Sequence, residues 1–219
     1  MNICTASEGA TDLGEQPLVG LLLAGGRGSR FDPSGQADKL MALWRAEPIA
    51  VHAARRLRAI GHPCFAVLGP DKPLLRQTLD AAGLITVVDP RVREGLGASL
   101  SVGMTTILER LNPSAVVVML ADMPAVRAST LTRLADAWRN RPPGIAAAAP
   151  YLGTQRGHPV IFGGSVLRAL CTLSGDRGAA SVLGSLAVLR VDVDDPGILS
   201  DIDTPEDLKR IREAPDAPV

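Results

Sequence analysis

The chain has 219 residues, enough for one α/β domain with a full core, and its 46% hydrophobic and 21% charged residues are ordinary for a globular protein. Lysine plus arginine and aspartate plus glutamate both number 23, so there is none of the basic excess of a nucleic-acid binder, and 3% aromatic residues leave no base-stacking platform. Cys4, Cys64 and Cys171 are widely spaced and form no C-x-x-C pair, no apolar run reaches membrane-spanning length, and the first residues lack a secretion pattern; the sequence therefore predicts a cytoplasmic protein with reduced thiols and no membrane partner.

Residues 1–17 are polar and small and read as a frayed extension, 18–214 as one globular domain, and 215–219 as a loose tail. Val19 to Ala24 reads as a buried first strand. A helix is predicted over Pro48 to Ile60, with Gly61 as terminator, and a strand over Cys64 to Leu68. A second helix, Pro73 to Ala82, closes at Gly83 and precedes a strand from Ile85 to Val88. Ala98 to Leu111 reads as a helix and Ala115 to Leu120 as a β-branched strand. Ser129 is the predicted N-cap of a helix running to Asn140. Strands follow at Ile145 to Pro150 and Val160 to Phe162, then a helix at Ser165 to Leu173, a strand at Leu186 to Val193, and a closing helix from Pro205 to Glu213 capped by Thr204.

Continuous apolar strands alternating with helices predict a doubly wound, three-layer α/β/α domain with a mostly parallel mixed sheet. Ligands of such sheets sit outside the carboxyl ends of the strands. Four strand-end segments should therefore face one crevice: Ala24–Gly28, Asp89–Gly97, Ala121–Pro124 and Asp194–Asp203.

The first of these is a glycine-rich turn, Leu23-Ala24-Gly25-Gly26-Arg27-Gly28-Ser29-Arg30-Phe31, with Lys39 further on. Its backbone N–H groups could cradle phosphate oxygens, aided by the N-terminus of any helix that follows, and Arg30 and Lys39 could add positive charge. The pattern matches neither G-x-x-x-x-G-K-[ST] nor G-x-G-x-x-G, and alone it reads equally well as a tight β-to-α connection, while two solvated loop cations are the lesser reading of Arg30 and Lys39 beside these glycines. Phe31 to Asp38 reads as a flexible, turn-rich loop. Asp122 follows a buried strand directly, where a carboxylate must be paired, metal-bound or used as a turn cap. Asp201 and Asp203 share a face if their segment is extended, and Mg²⁺ favours one or two carboxylates plus substrate phosphates. Asp201 lies further from the helix cap and is the better ligand of the two; Asp194, Asp195, Glu206 and Asp207 read as surface acids or helix-dipole partners.

These segments, with Arg156-Gly157-His158-Pro159-Val160-Ile161-Phe162, Gly175-Asp176-Arg177-Gly178-Ala179 and Asp201-Ile202-Asp203-Thr204-Pro205-Glu206-Asp207-Leu208, resemble the MobA-like and MocA-like nucleotidyltransferases of molybdenum-cofactor biosynthesis, from about Leu18 to Glu213. The resemblance implies transfer of a nucleoside monophosphate from an NTP to a phosphate on molybdopterin, with release of pyrophosphate and Mg²⁺ as cofactor. It implies nucleotide contacts from Leu23, Ala24, Gly25, Gly26, Arg27, Gly28 and Lys39, and base contacts from Gly95, Gly97 and Ser99. Charge neutralisation would fall to Arg30 and Lys39. The metal would be held by Asp122 and Asp201, with Asp203 beside them, and the acceptor by Arg156, Gly157, His158 and Pro159. Gly26 matches guanylyl-type members, whereas Gly95–Leu100 and Arg156–Phe162 match cytidylyl-type members; the longer match selects CTP, with GTP as the alternative. A different phosphorylated acceptor, or a non-catalytic accessory protein that delivers cofactor to a molybdoenzyme, are the competing readings.

Overall fold

The computed structural model describes residues 18–26, 28–35 and 37–213. The expectations for 1–17, Arg27 and 215–219 lie outside the described residues.

In chain order the strands are β1 (Val19–Leu23), β2 (Leu43–Trp44), β3 (Glu47–Pro48), β4 (Cys64–Leu68), β5 (Ile85–Val88), β6 (Ala115–Leu120), β7 (Ala147–Leu152), β8 (Gln155–Arg156), β9 (Val160–Gly163) and β10 (Val188–Asp192). The α-helices are α1 (Ile49–Arg58), α2 (Pro73–Ala81), α3 (Leu96–Arg110), α4 (Ala128–Arg139), α5 (Val166–Leu170), α6 (Ala180–Leu183) and α7 (Pro205–Glu213). Eight strands form one sheet in the order β10-β7-β9-β6-β1-β4-β5, with β8 added to β7. Within that path only β9 runs against its neighbours. The expected three-layer architecture is therefore present.

Strand alternation divides the core into two layers. Leu22, Ala66, Leu68, Val117 and Met119 point to one face and pack with Ile49 and Leu57 of α1, Leu79 of α2, Leu134 and Trp138 of α4, and Leu208 of α7. Leu21, Leu23, Phe65, Val67, Val116 and Val118 point to the other and pack with Met104 and Ile107 of α3, Leu167 and Leu170 of α5, and Leu183 of α6. Both faces of the central strands are thus covered, which is why they read as unbroken apolar runs. The chain leaves β1 for β4 and β5 on one side and returns to β6 on the other. The carboxyl ends of β1 and β6 therefore flank the topological switch point, where an open sheet leaves a crevice.

Several sequence expectations need correction. No α-helix follows the glycine turn; residues 28–35 form successive turns, and a short 3-10 helix, Lys39–Met41, carries the lysine. The loop between Arg30 and Lys39 is fastened by Asp32, whose carboxylate accepts from Ser34 N (2.9 Å) and Ala37 N (2.7 Å). The β2–β3 hairpin was not anticipated, because Arg45 and Ala46 adopt the positive φ of its two-residue turn (49° and 64°) without glycine. It is tied to the other end of the chain by Trp44 Nε1, which donates to the Ile211 carbonyl at 3.3 Å.

Ser129 does not cap α4. That role belongs to Asp195, a buried residue rather than a surface acid. One of its oxygens accepts from Arg127 N (2.9 Å) and Thr130 Oγ1 (2.6 Å), and the other from Gly197 N (2.9 Å). The start of α4 and the segment leading to Asp201 and Asp203 are thereby fixed to one carboxylate. Thr204 does cap α7: its hydroxyl accepts from Asp207 N, and the Asp207 carboxylate accepts in return from Thr204 N, a reciprocal capping box. No described helix is long and apolar enough to cross a membrane.

Asp195→Ala leaves two donors at the start of α4 and a third at Gly197 without this acceptor and should cost about 2–4 kcal/mol of stability. Urea denaturation reads this directly, and an unchanged midpoint would contradict the capping role. Cys64 and Cys171 carry free thiols, and burial pushes the Cys64 thiol up to about 11 from its ordinary 9.0 against the opposing charge of Arg58. A raised value favours the protonated form in the fold, so this contribution is complete below the unfolded value and is lost as pH rises through the folded one. Cys64 should resist alkylation in native protein at pH 8 and react once denatured; equal rates in the two states would refute this.

Candidate active site

The glycine turn leaves β1 at the switch point and floors a cavity of about 720 Å³. Its lining includes Leu23, Gly25, Gly26, Gly28, Arg30, Lys39, Gly95, Ser99, Asp122, Asp201 and Asp203, so residues from all four strand-end segments meet there. Ala24 is buried in the core instead. Gly97 lies against the carbonyls of Ser174, Gly175 and Arg177, and its N–H donates to Gly175 O at 2.8 Å. It therefore seats the 174–178 loop on the first turn of α3 rather than lining the cavity. That loop contributes Asp176 to the wall.

Two of the glycines are there for different reasons. A Cβ on Gly25 would stand 2.7 Å from Val92 Cβ and 2.8 Å from Ser99 Oγ, so only a bare backbone passes between the turn and the start of α3. A Cβ on Gly26 would meet nothing within 4 Å, since it faces the open cavity.

The cations and carboxylates converge. Lys39 Nζ lies 2.6 Å from Asp122 Oδ2 and 2.9 Å from Asp203 Oδ1, with its side chain only 6% exposed. Arg30, 74% exposed, reaches the other Asp203 oxygen at 2.6 Å. Burial alone would lower the Lys39 ammonium, but the charges and hydrogen bonds of Asp122 and Asp203 outweigh it and raise the group above its ordinary range. Burial likewise opposes ionisation of Asp203, yet Lys39 and Arg30 hold its carboxyl below the usual range. Asp201 is pushed the other way, by burial and by the nearby charges of Asp203 and Asp122. The segment carrying these acids is stitched to β6 by Ile202 N, which donates to the Asp122 carbonyl at 3.0 Å.

No three acidic, histidine or cysteine side chains are grouped as a metal site among the described residues. Asp122 nevertheless offers a candidate ligand atom: its Oδ1 is buried and has no hydrogen-bond partner. A bare carboxylate oxygen in that position costs free energy until a cation or donor meets it. With Asp201 on the same cavity wall, the donor set suits a hard divalent cation that completes its shell with phosphate oxygens and water.

A second cavity, of about 290 Å³, opens beside the first and shares Leu23, Leu96, Leu120 and Asp176 with it. Leu100, Phe162 and Leu183 make it apolar, and Arg156, Gly157 and His158 contribute its polar side. Gly157 also packs against Ile198, and Pro159, joined to His158 by a cis peptide, is not part of the wall. Burial lowers the His158 imidazole below its ordinary value, and its Nδ1 is buried without a hydrogen-bond partner.

The sequence reading missed Asp38 and Lys72. Asp38 caps the 3-10 helix of Lys39 by accepting from Leu40 N at 3.0 Å; an acid just before the key lysine was a local signal for it. Lys72 reaches the turn from the start of α2, 46 residues away from its partner Gly26, and no local pattern marks it.

A crevice at the switch point, a glycine turn and a lysine held between acids from two further segments define the architecture of a nucleotidyltransferase. The profile of the MobA-like NTP transferase domain matches residues 20–191, and the chain belongs to that family. No curated protein sequence matches it. Among solved structures it is similar to Rv0371c of Mycobacterium tuberculosis H37Rv (27% identity, TM-score 0.73), covering 91% of this chain and 100% of that one. The same protein has been crystallised with manganese (24% identity, TM-score 0.71, 91% and 100% covered). A nucleotidyl transferase of Methanothermobacter thermautotrophicus shares the fold at 22% identity and TM-score 0.75, with 91% of this chain and 97% of that one covered.

Gly25→Ala should weaken nucleotide binding at least about tenfold, because the turn must move off α3 to admit the methyl group, whereas Gly26→Ala should fold and melt like the parent. Calorimetric titration with nucleotide, alongside thermal melts, checks the pair; equal effects at the two positions would contradict the packing described.

Proposed function

We propose that this protein transfers CMP from CTP to the phosphate of a molybdopterin-type acceptor and releases pyrophosphate. The observation that carries the reading is the placement of Lys39 and Arg30, with Asp122, Asp201 and Asp203, at the wall of a cavity floored by the glycine turn. Family membership supports the reaction class. The second cavity supports a two-substrate site, because an acceptor lying between Phe162 and Arg156 would present its phosphate towards the first cavity through the shared wall.

The triphosphate lies on the backbone of Gly25, Gly26 and Gly28, where the absence of side chains allows close approach. Lys39 stays protonated at the cavity wall and supplies positive charge. The exposed Arg30 exchanges Asp203 for phosphate oxygens at little cost, since solvent-exposed ion pairs are worth about 0–1 kcal/mol. Asp122 and Asp201 would hold Mg²⁺, and the manganese complex of Rv0371c supports a divalent metal in this family. When bound, the metal ion neutralises charge on the phosphates as it builds towards the leaving pyrophosphate. The acceptor phosphate is already ionised at neutral pH and attacks the α-phosphorus in line, so the chain needs no general base. Its residues act by positioning and charge. The neutral imidazole of His158 would flank the acceptor on the polar side of the second cavity. The glycine at position 26, which matches guanylyl-type members, favours a second reading in which the nucleotide is GTP.

A pyrophosphate-release assay with each of the four NTPs, with and without molybdopterin, tests base and acceptor together. The expected result is release that requires molybdopterin and is fastest with CTP. Release with GTP alone would select the second reading, and none with any NTP would select a non-catalytic accessory role. Asp122→Ala should lower turnover at saturating Mg²⁺ by about 10² or more, and near-normal turnover would remove Asp122 from the site.

A further inference from the structure

Lys72 is not among the strand-end residues that form the crevice, yet it is tied to them. It precedes α2 on the loop after β4, and its side chain is 11% exposed. Its ammonium donates to the Gly26 carbonyl at 2.8 Å and lies 3.2 Å from Asp38 Oδ2. The same Asp38 carboxylate caps the 3-10 helix that begins at Lys39. One ammonium group thus spans the two ends of the 26–38 excursion. It grips the exposed, glycine-rich arm by its backbone and the lysine-bearing arm by its cap. The Gly26 side needs such a grip, because this residue has no side chain and nothing packs where a Cβ would be. Next to this contact, Gly26, Gly69, Asp71 and Lys72 help to line a further, open space of about 410 Å³.

We propose that Lys72 is a positioning residue that clamps the glycine turn to the Lys39 segment, so that the turn is already shaped for a triphosphate before the nucleotide arrives. This rests on the functional reading above as regards the ligand, but not as regards the clamp itself. Lys39 has its own partners, Asp122 and Asp203, and keeps its place without Lys72. The loss should therefore fall on nucleotide affinity and not on turnover, since preorganisation lowers the cost of binding.

The test compares full-length wild type with Lys72→Met, Lys72→Arg and Asp38→Asn. Hydrogen–deuterium exchange without ligand should quicken about tenfold or more across residues 28–41 in Lys72→Met, while β6 and α3 exchange as before. Lys72→Arg, which keeps the charge and the donors, should restore most of the protection. In the pyrophosphate assay, Lys72→Met should raise the KM for the nucleotide about tenfold, leave the acceptor KM and kcat within about twofold, and combine with Asp38→Asn non-additively. Unchanged exchange in the 28–41 segment overturns the clamp. So does a fall in kcat equal to the rise in KM, or a Lys72→Arg variant no better than Lys72→Met. If wild type neither binds nor turns over any nucleotide, the functional reading fails, and the exchange experiment still decides whether the clamp exists.

Discussion

An almost wholly buried ammonium group between two carboxylates organises this molecule. Lys39 draws together Asp122 from the end of β6 and Asp203 from the segment before α7, and Arg30 closes the chain of charges from the solvent side. Lys39 would be costly alone in that position. A buried charge stripped of its partner costs several kcal/mol, whereas a fully compensated group sits near balance. The arrangement therefore has little reason to exist for stability alone. It places fixed charge of both signs at the one point in an open sheet where chain topology leaves a crevice.

The surroundings sort into firm and yielding parts. Gly25, wedged against Val92 and Ser99, and Asp195, buried among three donors, hold backbone where it is. Arg30 faces open space and can adapt to what enters. A polyanion meeting this wall would thus encounter a rigid floor with a movable rim. The apolar annex beside His158 is a recess of quite different character.

Much of this was legible in the residues. Cys64–Leu68 and Ala115–Leu120 were bounded correctly because central strands of a parallel sheet are apolar on both faces, and the edge strand Ile85–Val88 because turn formers flank it at Gly83 and Asp89-Pro90. The glycine turn, the two cations and the three acids could be read because each lies at a strand end or beside a helix start. What escaped was non-local. The turn at Arg45–Ala46 lacks glycine and is supported from α7, residue 195 caps a helix that starts at residue 128, and Lys72 meets Gly26 across 46 positions. Gly97 was given to the ligand by resemblance, and a glycine beside a helix start looks alike in sequence whether it admits a substrate or another loop. Only the 174–178 loop, distant in sequence, distinguishes the two.

The separations of Lys39 from its partners, 83 residues to Asp122 and 164 to Asp203, also matter for how the protein is made. Chains emerge from the ribosome at about 5–20 residues per second, N-terminus first. For many seconds the nascent polypeptide holds the lysine without either counter-charge, and the second arrives only after every strand of the sheet has been synthesised. The crevice thus becomes electrostatically complete only after the sheet that carries it has been synthesised.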